Sequence, residues 1–324
     1  MRVTNQMLTN NFLNDMNNNL QNMSKIQSQM TSGKEISKPS DDPMKIARVM
    51  QLNTDMNSNK QYNENISDAS NYLDITDKSL GYVGDVLQRI RELLVSAGKG
   101  SYGSDEKAAI KNEINQSAGQ LTQILNTNFD GKYIFGGTKG TTKPVKEITD
   151  VTTKNTTLNY NVIDPAVTTD PIIGMINGKL SVEVSQGVSM EYNITAGDVL
   201  KFNDSAGAPG NLDNNLTTIF TKITSDLDAT STTELSGKDL TDIQSALTNI
   251  LKLRSEVGAK SNRMDSMKSK NSDEMDNMTK LLSNTEDIDI TEKTMQYATM
   301  QTIYTATLQT SAKVLQLSLM DYLR

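Results

Sequence analysis

Both ends of this chain carry apolar residues on heptad spacing, and the middle reads as β-structure. Near the N-terminus Leu13, Met16, Leu20, Met23 and Met30 follow a three-four spacing, with Gln27 in one seam position. Near the C-terminus Met300, Ile303, Thr307, Thr310, Val314 and Leu317 repeat it. Apolar residues every 3.5 positions place one stripe along a helix, and that stripe must bury against another helix. The last helix carries a second stripe as well, Tyr304, Leu308, Leu315 and Tyr322, displaced by about 100° around the axis. So wide an apolar arc calls for partners on more than one side. The predicted assembly interface is Leu13, Met16, Leu20, Met23, Met30, Met300, Ile303, Tyr304, Leu308, Val314, Leu315, Leu317 and Tyr322.

Composition narrows the chemistry. Of 324 residues only 5% are aromatic and none is Trp, a thin stock for one large globular core but enough for narrow helical seams. Cys and His are both absent, which removes disulfides, thiol chemistry, the commonest metal ligand and the commonest general base. No catalytic, cofactor or metal residues are expected. Net charge is -7 and the basic residues are scattered, so no nucleic-acid face is expected. No run approaches the roughly 20 apolar residues of a membrane span. Met1 to Leu20 is Asn-rich and lacks the layout of a cleaved secretory signal.

Gly33 reads as the stop of the first helix, Asp42 as the N-cap of the second and Pro43 as its first residue. Leu73, Thr76, Leu80, Val83, Leu87, Ile90, Leu94 and Ala97 form the cleanest heptad row, broken by Gly98 to Gly103. Ser104 is expected to cap a third helix with a face of Ile110, Ile114, Ser117, Leu121 and Ile124. Gly131 to Thr138 reads as a short strand between glycines. From Thr141 to Ser236 helical period is not apparent; strands are expected at Leu158–Ile163, Leu180–Val184, Val188–Ile194 and Val199–Phe202, with a hairpin at Asn177-Gly178. A helix from about Thr241 to Asn284, on the order of 65 Å long, then carries Leu240, Ile243, Leu247, Ile250, Val257, Met264, Met267, Met278 and Leu281. Asp287 to Ile290 interrupts it before the final helix.

The expected fold is mainly α: a long antiparallel helical rod or coiled coil formed by both termini, with a small inserted β-rich domain. The terminal coiled-coil assembly domain is placed at 1–44 and 285–324, the helical rod at 45–140 and 236–284, and the insert at 141–235. The insert reads as an accessory module joined by few contacts.

Ser32-Gly33-Lys34 followed by Pro39-Ser40-Asp41-Asp42-Pro43 resembles the N-terminal region of the flagellin superfamily, and Val257 to Arg263 resembles its C-terminal region. Gly131 to Thr138 and Leu317 to Leu323 are similar to the branch of that superfamily that joins hook to filament. The resemblance implies a non-enzymatic structural subunit of the bacterial flagellum, exported without a cleaved signal and extracellular once assembled. It implies self-assembly into a ring between a neighbouring hook-associated protein and flagellin. It also implies a cytoplasmic export chaperone on the C-terminal helix. The alternative within the superfamily is a filament flagellin; outside it, another coiled-coil interaction protein.

Overall fold

The computed structural model describes residues 5–36, 38–98, 103–150, 154–161, 171–202, 215–228 and 233–314. Long helices dominate: α1 (Asn5–Ser32), α2 (Pro43–Ala97), α3 (Ser104–Leu125), then, after the middle of the chain, α8 (Lys238–Glu286) and α9 (Ile290–Val314). Between α3 and α8 lie small antiparallel pairs and short helices. These are β1 (Asn128–Phe129) with β2 (Lys132–Tyr133), β3 (Val145–Thr149) with β4 (Thr156–Tyr160), α4 (Pro171–Ile176), β5 (Ser181–Ser185) with β6 (Val188–Glu191), α5 (Ala196–Leu200), α6 (Leu216–Asp228) and α7 (Thr233–Ser236). The chain is mainly α, with long helices at both ends and small strand pairs in the middle.

Two compact units divide it: a terminal unit of Met1–Asn59 with Asp273–Arg324, and a central unit of Lys60–Ser272. In the central unit every residue of the α2 heptad row, from Leu73 through Thr76 to Ala97, is fully buried. A seam repeated at 3.5 residues keeps one face toward its partners along the whole helix. Ile243, Ile250, Val257 and Met264 of α8 join the same core, as do Ile114, Leu121 and Leu125 of α3. Asp77 and Arg254 tie α2 to α8 through Nε–Oδ1 at 2.9 Å and Nη2–Oδ2 at 3.0 Å.

The segment from 141 to 236 is not held by few contacts. Its Ile176, Val184, Met190, Ile194, Val199, Leu216, Phe220 and Ile223 belong to the core that contains Leu73 and Leu87. Side-chain amides of the long helices also grip its backbone: Asn65 Nδ2 donates to Glu183 O at 3.1 Å, Asn271 Nδ2 to Val184 O at 2.9 Å and Asn249 Nδ2 to Asp198 O at 2.9 Å.

Several local expectations are corrected. Val199 and Leu200 are helical, because Thr195 and Asp198 form a capping box that starts α5: Thr195 Oγ1 accepts from the Asp198 N–H and the Asp198 carboxylate from the Thr195 N–H. Asn177-Gly178 ends α4 rather than turning a hairpin, and β5 pairs with β6. The turn between β5 and β6 instead uses Gly187 at φ +71°. Helix α6 forms in a stretch where no helix is expected. In Gly131 to Thr138 only Lys132 and Tyr133 are strand, and the hairpin turn is Asp130-Gly131, both at positive φ. The extended residue before α3 is Gly103, with no side-chain cap, so Ser104 lies inside the helix. β4 covers Thr156–Tyr160; residues 162 and 163 of the expected strand lie outside the described residues.

Candidate assembly interface

The terminal unit is built around a joint between chain ends. Helix α1 stops at Gly33, whose φ of +73° suits a residue without Cβ and whose N–H reaches Gln29 O at 2.8 Å. Immediately beyond it Lys34 and Asp287 form an antiparallel bridge. The Ile288 N–H donates to Gly33 O at 3.1 Å, and the Glu35 N–H donates to Glu286 O at 2.6 Å. Lys34 and Glu286 add an ion pair, and Gln29 Nε2 donates to Glu35 O. Asp42 Oδ1 caps α2 by accepting from the Met44 and Lys45 N–H groups, each at 3.1 Å, with Pro43 first in the helix as expected. Asp289 caps α9 in the same way, accepting from Thr291 and Glu292. The Glu292 and Thr291 N–H groups hold the Asp289 carboxyl below the ordinary carboxylate range.

From this joint α1 and α9 pack side by side. The chain runs toward the joint in α1 and away from it in α9, so the pair is antiparallel. Shielding follows one row on each helix. On α1 the shielded row is Phe12, Met16, Asn19, Met23, Ile26 and Met30, with Leu20 beside it; on α9 it is Lys293, Gln296, Tyr297, Met300, Tyr304 and Thr307. Phe12 and Ile26, absent from the predicted seam, sit on the α1 row, whereas Leu13 and Gln27 are exposed. The neighbouring positions Phe12-Leu13 and Ile26-Gln27 offered both registers, and packing selected the earlier of each.

The two stripes expected on α9 are shared out differently. Met300 of the first and Tyr304 of the second lie together on the shielded row. Ile303 and Leu308 remain exposed. At 100° per residue they flank that row on opposite sides, each about 70° from its centre. Val314 closes α9, but nothing of its side chain is described, and Leu315, Leu317 and Tyr322 lie outside the described residues.

Only Ile26, Ile36 and Leu52 are buried apolar residues in the described part of the terminal unit. Most of the large apolar side chains left exposed are here, including Met7, Leu13, Met44, Met50, Ile290, Met295, Ile303 and Leu308. No group of three or more Asp or Glu that could hold a metal occurs among the described residues, and no described helix is long and apolar enough to cross a membrane.

The described residues thus show a well-buried, mainly helical central unit and a terminal unit made of a thinly buried antiparallel helix pair. Models of the bacterial flagellin N-terminal and C-terminal helical regions match residues 3–140 and 240–323, and the chain belongs to the flagellin family. It is 25% identical over 313 residues to the flagellar hook-associated protein 3 of Escherichia coli K12, covering 94% of this chain and 96% of that protein. It shares its fold with the flagellar junction protein FlgL of Legionella pneumophila, with a TM-score of 0.54 at 17% identity over 74% of this chain and 99% of that one. A flagellin of Clostridium tyrobutyricum is 26% identical over 170 residues, 52% of this chain and 45% of the flagellin.

Proposed function

We propose that this chain is a structural subunit of the bacterial flagellum that joins hook to filament. The observation that carries the reading is the extent of the similarity. The hook-associated relative matches from end to end, through the central segment, whereas the flagellin matches about half of the chain.

The thinly buried terminal unit supports the finer reading. Subunits assemble as a ring by covering one another's terminal helices, with a hook-associated neighbour on one side and flagellin on the other. Before export a cytoplasmic chaperone covers the C-terminal helix; after export the subunit is extracellular. The role is mechanical and asks no catalysis of the chain. Exposed Ile303 and Leu308, on opposite flanks of the α1-facing row, give α9 two further sides for such partners.

The test is a strain lacking this chain, viewed by electron microscopy. Hooks without filaments, with flagellin monomer shed into the medium and filaments restored by the intact gene, are expected. Normal filaments in the deletion strain would overturn the reading.

A further inference from the structure

In a chain without Cys, His or Trp, methionine is the side chain most open to two-electron oxidation. There are 17 methionines, and the described ones range from buried to largely exposed, with Met175 of the central unit itself 50% exposed. In the core of the central unit Met264 is 0% and Met190 5% exposed. In the terminal unit Met44 is 86% exposed, Met50 and Met295 65% each, and Met7 57%. Met44 stands in the first turn of α2, where its N–H is held by the Asp42 cap, so its side chain projects from an anchored backbone. Met50 lies further along the same helix, and Met295 lies on α9.

We infer that oxidation at three separate exposed positions, Met44, Met50 and Met295, governs whether the unassembled subunit can join its neighbours, with hydrogen peroxide as the reagent class. The thioether sulfur attacks one peroxide oxygen and the O–O bond breaks. Sulfur is oxidised by two electrons to the sulfoxide, and the peroxide is reduced to water. The product replaces a flexible apolar side chain with a strongly dipolar one. Burying that dipole without a hydrogen-bond partner costs free energy at any surface that must be covered. The buried Met190 and Met264 are spared, so the core of the central unit is untouched, while the terminal unit loses its adhesiveness. The inference rests on the reading of the terminal unit as the assembling part.

The experiment has two arms on the purified full chain. In the first, peroxide is added in graded amounts and sulfoxide is mapped by peptide mass spectrometry. Met44, Met50 and Met295 should oxidise about tenfold or more faster than Met190 and Met264, with helix content unchanged by circular dichroism. Equal rates across these residues would overturn the inference. In the second, incorporation into hook-bearing, filament-free flagella from the deletion strain is measured before and after peroxide. The ratio is compared between the parent and the Met44→Leu, Met50→Leu, Met295→Leu variant. The parent ratio should fall about fivefold or more, recover on treatment with methionine sulfoxide reductases, and stay near one in the variant. A parent that still incorporates after these residues are oxidised, or a variant that loses as much as the parent, would overturn the inference. An untreated parent that never incorporates would instead sink the hook-filament reading, while the oxidation map would stand.

Discussion

Lys34 Nζ lies 2.6 Å from Glu286 Oε1, and this ion pair sits where the end of α1 meets the segment that opens α9. Lys34 is half in water and Glu286 nearly enclosed, so the contact adds to a joint whose framework is backbone hydrogen bonding across Gly33, Glu35, Glu286 and Ile288.

The first prediction separates the ion pair from the backbone. Lys34→Ala should cost at most about 1 kcal/mol, since the pair is partly solvated. Gly33→Ala meets no atom within 4 Å, so its whole effect is the strain of a Cβ at φ +73°, about 1 kcal/mol. Amide exchange at Glu35 and Ile288 is the measurement; Gly33→Ala should speed it about fivefold. Unchanged exchange would show that α1 can end without the left-handed turn.

A second prediction concerns the flanks of α9. Ile303→Asp and Leu308→Asp replace exposed side chains, so the isolated chain should keep its helix content and change in stability by about 0.5 kcal/mol or less. Incorporation into flagella should be lost, because each carboxylate would be buried unpaired at a neighbour. Loss of helix content would assign these positions to the fold of the monomer instead.

The third prediction concerns the middle segment. Phe220 is fully buried in the core, and Phe220→Ala should destabilise the central unit by about 3–5 kcal/mol. Replacing residues 141–236 with a short Gly-Ser link should be worse, since it removes Ile176, Val184, Ile194, Leu216 and Phe220 together from the core that contains Leu73 and Leu87. Thermal unfolding followed by circular dichroism distinguishes the cases. A cooperative transition at the parent temperature in the linker variant would show that the long helices pack without the segment.

The fourth prediction is a pH dependence. Burial pushes the Asp239 carboxyl up to about 6, against the pull of Lys222 Nζ at 3.1 Å, and neighbouring Asp226 pushes the same way as burial. The folded state therefore holds the proton more tightly than the unfolded chain, where the value is 3.8. The stabilisation is complete below pH 3.8 and is lost as pH rises through 6. Asp239→Asn should flatten this stretch of the stability-pH curve and raise stability at pH 7.5 by roughly 1 kcal/mol. A parent curve that rises between pH 4 and 6 at this site, by difference from the variant, would reverse the assignment.

Periodicity carried much of this fold because the long helices bury one unbroken face each. The α2 row from Leu73 to Ala97 is apolar on strict spacing, and every member proved buried. Where two registers were open, as at Phe12-Leu13, spacing alone could not choose; the partner helix did. In the middle segment β-branched residues and turn formers misled. Leu216, Ile219, Phe220, Ile223 and Leu227 keep helical spacing within α6, a signal masked by the Thr-rich positions between them. Two hairpin dipeptides stand in the sequence, and it is Asp130-Gly131, not Asn177-Gly178, that makes the positive-φ turn. The aromatic stretch after Gly131 helped to mark the family, yet its Ile134 and Phe135 serve as core beneath a turn.

The joint of Lys34 with Glu286 also sets an order of events. These residues are about 250 positions apart, and closing such a loop in an unfolded chain costs on the order of 5 kcal/mol. The pairing of Asp77 with Arg254 lies inside that loop, so folding of the central unit leaves roughly 40 positions to close instead. Pairing of α1 with α9 is therefore entropically cheaper once the central unit has folded than before it.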